Sequence, residues 1–471
     1  MCLAKGSHKI RGKLHNRSHI APHQLTIAYF LWLANCLLFS FCSLGMQNQS
    51  VWGHLGGHGK VKGTVLVATT CHWFPTARLA MALSSADLCV DVICPPHHSA
   101  WKIGGIRKVH TYQGLTPQMS FYDAITMSKP DLIVPGDDLA TLHLLDIYVR
   151  EKRKRGPASE FCSLIERSIG SADCFPYMLS RSAFIQLAEK EGVRVPAMEV
   201  ISNLNDLHGW IRRRGLPAVL KANGTSGGEG VRVVETIEEA ERAFRKLHAP
   251  PIFARVVKHV IVDHDMTLVW PALLRQRPVI NAQQFVNGRE ATSLVACWKG
   301  SVVGGLHFEV LNKSEGSGPA TVMRWAENEE MHSACSKIVR RLNLSGLHGF
   351  DFMLEEGTGN PYMIEWNPRA TQVGHLTLGA GRDLPAGLIA GMTGTEVRES
   401  TPLTDNNTIT LFPQEWLRNP ESPYLKSGYH DVPWQEPELI RAAVQKPKKW
   451  SELYAKLKVS HLFSELRLPR L

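Results

Sequence analysis

The chain has 471 residues, which is long enough for about three domains of ordinary size. Its formal net charge is +10, but seven lysines and arginines and no acid lie within the first 62 residues, so the high pI is mainly a property of the N-terminus. No long basic stripe occurs elsewhere, and no nucleic-acid partner is predicted. The ten cysteines form no C-x-x-C pair, which argues against a zinc site and favours a reducing, cytoplasmic compartment.

The N-terminal segment contains an apolar run, residues 25–46, with no charged side chain. The run is long enough to span a bilayer, and the basic residues before it would keep the N-terminus on the cytoplasmic side. Two interpretations stay open. The run is a membrane tether, or translation starts at Met46 and the first 45 residues are not made. A cleaved signal peptide is disfavoured because the apolar run is too long.

From Thr64 onward, short apolar runs alternate with helical patterns. Residues 64–70, 90–94 and 131–135 are predicted strands, and the intervening or following segments include predicted helices at 75–85 and 138–153. Alternating strands and helices indicate a parallel, doubly wound sheet. No G-x-G-x-x-G follows the first strand, so no dinucleotide fingerprint is found.

The predicted helix at 138–153 carries apolar residues at helical spacing. The residues on one apolar face of this helix are Leu139, Leu142, Leu145 and Val149. The motif PGDD (135–138) lies directly before this helix. It either contacts substrate at a strand end or forms a turn that caps the helix.

A glycine-rich loop, NGTSGGEG (223–230), lies between two predicted strands in the stretch 216–234. Its four glycines allow backbone amides to turn toward an anion without Cβ clashes. Lys221 stands just ahead of the loop, where an ammonium can reach a phosphate. A glycine loop alone is weak evidence, and Lys221 is what favours a phosphate site over a flexible turn.

The stretch 349–375 predicts a β-hairpin whose turn lies between Gly357 and Pro361. Asp351 falls on its first strand and Glu365 on its second, so the two carboxylates face each other across the ladder. Strand alternation returns Asn367 to the face of Glu365, and Arg369 follows. Three hard oxygen ligands of this kind suit Mg²⁺ and leave room for phosphate oxygens.

These residues resemble the ATP-grasp superfamily, most closely its carbamoyl-phosphate-synthetase-like and biotin-carboxylase-like branch. The family ends its nucleotide site with an acid, a turn and E-x-N-x-R, which here is Asp351 followed by Glu365, Asn367 and Arg369. The resemblance covers roughly residues 170–400. It implies α/β and α+β architecture, in which a doubly wound (Rossmann-like) N-terminal domain precedes a two-lobed ATP-grasp fold.

The predicted domain organisation follows from this resemblance and the composition. It comprises an N-terminal extension (1–62), a Rossmann-like domain (63–160), an ATP-grasp domain (161–400) with its small lobe at about 200–280, and a C-terminal extension (401–471).

The resemblance also implies roles for single residues. Asp351, Glu365 and Asn367 would bind Mg²⁺ or Mn²⁺, and Lys221 and Arg369 would act in catalysis. Gln283 stands where relatives often carry glutamate, and Arg181 and Glu290 would otherwise be plain surface charges. The implied ATP-binding residues are Arg181, Lys221, Ser226, Gly227 and Gly228 for the phosphates, Gln283, Phe285 and Val286 for adenine, and Glu290 for ribose.

The implied activity is that of an ATP-dependent ligase. A substrate carboxylate would be activated as an acylphosphate and then attacked by an amine or a thiol. Two alternatives stay open: an ATP-grasp kinase, and a nucleotide-binding regulatory protein without ligase activity. Small molecules are the predicted partners, but no motif in the sequence identifies the carboxylate or the nucleophile.

Overall fold

The computed structural model describes residues 63–224, 230–250, 256, 269–314, 318–397 and 400–444. The predicted tether at 25–46 lies outside these ranges, and so do Ser226, Gly227 and Gly228 of the predicted phosphate loop. None of the helices within the described ranges combines the length and apolar character that crossing a bilayer requires.

The first sheet is parallel, with strand order β3-β2-β1-β4. Its central strand β1 is buried along nearly its whole length, as expected where helices cover both faces of a parallel sheet. The predicted doubly wound architecture is therefore confirmed. Its elements are β1 (Thr64–Ala68), α1 (Phe74–Ser85), β2 (Cys89–Cys94), β3 (Lys108–Thr111), α2 (Pro117–Ser128), β4 (Leu132–Pro135), α3 (Asp138–Arg155) and α4 (Glu160–Ile169).

The apolar face predicted for α3 is buried only in part, because Leu145 is buried but other residues of this face are exposed. Leu142 and Val149 are 40% and 61% exposed, whereas Leu144 and Tyr148 are buried. The buried side of α3 includes aromatic side chains whose polar atoms form hydrogen bonds. A search for apolar residues at helical spacing leaves these side chains out. Tyr148 donates a hydrogen bond to Glu166 (2.7 Å), which allows its ring to pack inside.

The second sheet has four antiparallel strands in the order β5-β8-β6-β7. Helices α7 and α8 pack on it around the fully buried Trp210, and each begins at a side-chain cap, Asn203 for α7 and Thr236 for α8. The elements are α5 (Phe175–Leu179), α6 (Arg181–Lys190), β5 (Met198–Ile201), α7 (Leu204–Arg214), β6 (Ala218–Ala222), β7 (Val231–Val234), α8 (Ile237–His248), α9 (Val269–Leu273) and β8 (Ile280–Gln284).

The third sheet has seven strands in the order β13-β12-β9-β10-β11-β14-β15. Its last two strands come from the predicted C-terminal extension, where β14 pairs with β11 and β15 with β14. The elements are β9 (Gly288–Trp298), β10 (Ser301–Lys313), β11 (Ala320–Trp325), α10 (Glu329–Arg341), β12 (Gly346–Glu355), β13 (Pro361–Asn367), α11 (Leu384–Thr393), β14 (Thr408–Leu411), α12 (Gln414–Arg418), α13 (Tyr424–Ser427), β15 (Tyr429–Asp431) and α14 (Pro437–Val444).

Strands β12 and β13 form the predicted hairpin at one edge of the third sheet. The register pairs Asp351 with Glu365 and Gly349 with Asn367, and a bulge follows Asp351. Gly357 and Gly359 in the turn have φ of +83° and +71°, a backbone region that favours glycine. The hairpin therefore sets the two acids opposite each other.

Candidate active site

The site is built around the carboxylate of Asp351. Its two oxygens accept hydrogen bonds from Thr292 Oγ1 (2.8 Å) and from Asn367 Nδ2 (2.8 Å). Burial raises the pKa of Asp351, and the charge of Glu365 across the ladder raises it further. Two carboxylates this close repel each other unless a cation lies between them.

Two cations converge on Glu365. Arg181 Nη2 lies 2.8 Å from Oε1, and Lys221 Nζ lies 3.8 Å from Oε2. The Lys221 side chain is almost fully buried, and this burial lowers its pKa, although the charge of Glu365 acts in the opposite direction. Arg181 begins α6 and also donates to the carbonyl of Ala222 (2.8 Å), which fixes its direction. Cationic side chains from the second sheet and from α6 thus lie beside the hairpin.

The donor set at the hairpin fits a magnesium ion. Asp351, Glu365 and Asn367 supply two carboxylates and an amide oxygen, the hard ligands that Mg²⁺ prefers. Within the described residues, no group of three or more histidine, cysteine, aspartate or glutamate side chains is arranged to hold a metal. Two acids and one amide are fewer ligands than Mg²⁺ takes, which leaves positions for phosphate oxygens or water.

Arg369 follows the hairpin and forms a side-on ion pair that the sequence did not predict. Its Nε donates to Asp138 Oδ1 (2.8 Å) and its Nη2 to Oδ2 (3.3 Å). Burial by itself would lower the pKa of Arg369, but the carboxylate of Asp138 more than offsets it, so the pKa is raised. Asp138 belongs to the PGDD motif, whose other acid, Asp137, caps α3 through Ala140 N (2.9 Å).

The predicted adenine hinge lies between β8 and β9. Phe285 and Val286 line an open cleft of about 280 Å³, together with Tyr362 of β13. Gln283 is buried, and its Nε2 donates to the carbonyl of Ile364 (3.1 Å), which also accepts from Lys221 Nζ (3.4 Å). The roles of these side chains toward a nucleotide stay predictions.

Glu290, the predicted ribose ligand, lies on β9 in an ion pair with Lys313 of β10. Thr292 lies two residues further on the same face of β9, where it bonds Asp351. Thr292 was not predicted from the sequence, although strand alternation from Glu290 places it on the same face. The structure thus brings together Arg181, Lys221, Asp351, Glu365 and Asn367.

Comparisons with known proteins show what this chain is similar to. Residues 183–373 match the model of the ATP-grasp domain. The chain is 26% identical to the carbamoyl phosphate synthase large chain of Methanosphaerula palustris over 196 residues, 41% of this chain and 17% of that one. It is also 26% identical to the phosphoribosylamine–glycine ligase of Ralstonia nicotianae over 207 residues, 43% of this chain and 44% of that one.

Solved structures share the fold. The biotin carboxylase domain of Hydrogenobacter thermophilus 2-oxoglutarate carboxylase superimposes with a TM-score of 0.50 at 16% identity, covering 72% of this chain and 71% of that one. The N5-carboxyaminoimidazole ribonucleotide synthetase of Thermus thermophilus gives 0.50 at 15% identity, covering 72% and 80%.

Residues 183–373 of the chain are therefore similar to the ATP-grasp domain. The chain's relatives and structural neighbours lie in the branch of that superfamily that includes carbamoyl phosphate synthase and biotin carboxylase. The chain spans less than half the length of the curated relatives described above.

Proposed function

We propose that the chain is an ATP-grasp ligase that activates a carboxylate as an acylphosphate at the expense of Mg-ATP and joins it to an amine or a thiol. One observation carries the proposal: Asp351 and Glu365 face each other on the hairpin while Arg181 and Lys221 converge on Glu365. Such a cluster of two acids and two cations suits a metal-bound polyphosphate, whose charges need both kinds of partner.

In the proposed reaction an oxygen of the substrate carboxylate attacks the γ-phosphorus, and the bond between that phosphorus and ADP breaks. Lys221 and Arg181 offset negative charge on the phosphates, and positioning and electrostatics supply most of the rate in such transfers. Asp351, Glu365 and Asn367 would hold Mg²⁺, which supplies further neutralisation of phosphate charge. Arg369 would hold the acylphosphate until the nucleophile attacks its carbonyl carbon and phosphate leaves.

The relatives support this class of reaction. One is a phosphoribosylamine–glycine ligase, and another is the large chain of a carbamoyl phosphate synthase. The biotin carboxylase domain with the shared fold was solved with MgADP, ADP and bicarbonate. For this chain, we propose a carboxylate substrate. The nucleophile that attacks the acylphosphate is proposed to be an amine or a thiol.

The proposal keeps the predicted domain boundaries, with the Rossmann-like domain at 63–160 and the ATP-grasp domain at 161–400. It also places the protein in the cytoplasm, because a ligase of this kind consumes ATP and because the cysteines are scattered. Fractionation of cells that express the full chain or the form starting at Met46 tests the location.

A screen of carboxylate and amine pairs for phosphate release, with hydroxylamine present to trap an acylphosphate, tests the activity. Substrate-dependent phosphate release is expected, and Glu365→Gln should abolish it. Glu330→Gln is the matched control, because Glu330 also pairs with an arginine, Arg194, but at the surface. ADP formation without free phosphate would indicate a kinase instead. Mg-dependent ATP binding without turnover would indicate a regulatory protein.

A further inference from the structure

The turn between β4 and α3, residues 135–138, is docked onto the segment 368–370 that follows the hairpin. Ala370 N donates to the carbonyl of Pro135 (2.9 Å), and Thr141 Oγ1 of α3 donates to the carbonyl of Pro368 (3.0 Å). The ion pair of Arg369 with Asp138 lies between these two contacts. Three contacts therefore join the first sheet to the backbone and side chain around Arg369.

The turn that carries Asp138 is itself held in place. The neighbouring carboxylate of Asp137 accepts hydrogen bonds from Ala140 N (2.9 Å), Thr70 N (2.6 Å) and Thr70 Oγ1 (2.8 Å). These contacts tie the start of α3 to the end of β1. Asp138 is therefore a fixed acceptor, although its side chain is 43% exposed.

The contacts of Arg369 leave it little freedom. A guanidinium has five N–H donors in a rigid plane. Nε and Nη2 donate to Asp138, Nη2 also lies 3.4 Å from Asn367 Oδ1, and Nη1 donates to its neighbour's carbonyl at Ala370 (3.3 Å). Among the described residues, one N–H of Nη1 is left without an acceptor. The guanidinium thus has a defined orientation and one donor available to a ligand.

We propose that Asp138 is a positioning residue, which holds Arg369 so that its Nη1 donor faces the phosphate group of the reacting acylphosphate. This inference rests on the proposed function. Asp138 lies outside the residues 183–373 that match the ATP-grasp domain, so the orientation of a catalytic side chain is set from the Rossmann-like part of the chain. Asp138 also offsets the positive charge of Arg369. Its role is therefore to orient the guanidinium and not to strengthen the attraction of the site for anions.

The first test needs no substrate. Full-length wild type and Asp138→Ala are treated with phenylglyoxal, and modification of Arg369 is followed by peptide mass spectrometry. Release of the guanidinium from its carboxylate should make modification several-fold faster in the variant. Asp146→Ala is the matched control, because Asp146 lies on the same helix, is also 43% exposed and also pairs with an arginine, Arg150. An unchanged rate for Asp138→Ala would overturn the proposal.

The second test is a double-mutant cycle on phosphoryl transfer from acetyl phosphate to Mg-ADP. In this reaction the acyl–phosphate P–O bond breaks, a P–O bond to ADP forms, and acetate and ATP are released. Asp138→Ala is expected to lower the rate about tenfold or more, since small misplacements of a positioning group are costly. Asp138→Glu should recover part of it. Arg369→Ala should lower the rate further, and the double variant should be no slower than Arg369→Ala.

The outcomes separate the two proposals. Losses that add in the double variant would show that Asp138 acts independently of Arg369 and would overturn the positioning role. Wild type that forms no ATP from acetyl phosphate and shows no substrate-dependent phosphate release would contradict the ligase. The phenylglyoxal result would then still decide whether Asp138 holds Arg369. A far-UV circular dichroism spectrum equal to that of wild type checks that Asp138→Ala is folded, independently of any nucleotide.

Discussion

Asp351 and Glu365 occupy one rung of the antiparallel ladder between β12 and β13, and the pKa of Asp351 is raised by burial and by the charge of its partner. A fold gains nothing in stability from placing two acids together in a partly buried position. Under the proposed function, stability is given up here for the binding of a cation, and this has consequences that can be measured.

Asp351→Asn removes the repulsion with Glu365 and the burial of a charge. We expect the free energy of unfolding, measured with urea at neutral pH in the presence of a chelator, to rise by roughly 1 kcal/mol. Mg-dependent ATP binding, measured by calorimetry, should be lost in the same variant. Asp123→Asn, a change at an exposed aspartate of α2, should alter neither quantity. A less stable Asp351→Asn variant would contradict the repulsion.

Binding of Mg-ATP should weaken as the pH falls, and the weakening should begin at a higher pH than it would for an aspartate with an unshifted pKa. The ionised form of Asp351 binds the cation, and its raised pKa means that protons begin to compete sooner as the pH falls. The dissociation constant is measured from about pH 8 to about pH 5. Binding of Mg²⁺ to ATP alone, measured at each pH, corrects for protonation of the nucleotide. An affinity that stays constant after this correction would refute the prediction.

Asp431→Asn should destabilise the fold strongly. Asp431 lies on β15 and is buried, with Oδ1 accepting from Arg78 Nη2 (2.6 Å) and Oδ2 lying 2.5 Å from His375 Nε2. Burial would raise the pKa of Asp431, but His375 and Arg78 more than offset this, so the carboxyl stays ionised. The variant leaves the buried charge of Arg78 without a carboxylate, at a cost of about 3–5 kcal/mol in the free energy of unfolding.

Urea titration of both proteins measures this cost, and Asp405→Asn, at an exposed position of the same C-terminal stretch, is the control. Equal midpoints for wild type and Asp431→Asn would mean that β15 does not need this ion pair to stay on the sheet.

Glu415→Gln should change the acid stability. Burial would raise the pKa of Glu415, but hydrogen bonds from Arg418 and Thr321 more than offset this, and the pKa is lowered to about 2, from 4.5. A depressed pKa contributes stability that is present above the unfolded value and is lost as the pH falls from 4.5 toward about 2. The variant should therefore be less stable than wild type at neutral pH, and the difference should shrink over that acid range.

Urea midpoints at neutral pH and at several acid values measure the shrinking difference, with Glu421→Gln, an exposed glutamate nearby, as the control. A difference that stays constant down to pH 2 would exclude Glu415 as the titrating group.

The hairpin with Asp351 and Glu365 could be predicted from the sequence because strand alternation and a glycine turn are local signals. The same holds for Lys221 on its strand. The ion pairs Arg369–Asp138 and Asp431–Arg78 could not be predicted, because their partners are 231 and 353 residues apart and are chosen by how the sheets pack. The buried side of α3 was not predicted because its tyrosine and histidine side chains count as polar in a sequence pattern, although the structure buries both.

Strand β13 forms the outer edge of the third sheet, and two main-chain groups of this strand have partners outside the sheet. Met363 N donates to the carbonyl of Arg194 (2.8 Å), and the carbonyl of Ile364 accepts from Gln283 and Lys221. An uncovered edge offers such groups to a strand from another molecule. Gln283 and Lys221 therefore occupy a main-chain acceptor that would otherwise be open to a strand from another molecule, and replacing both would uncover it.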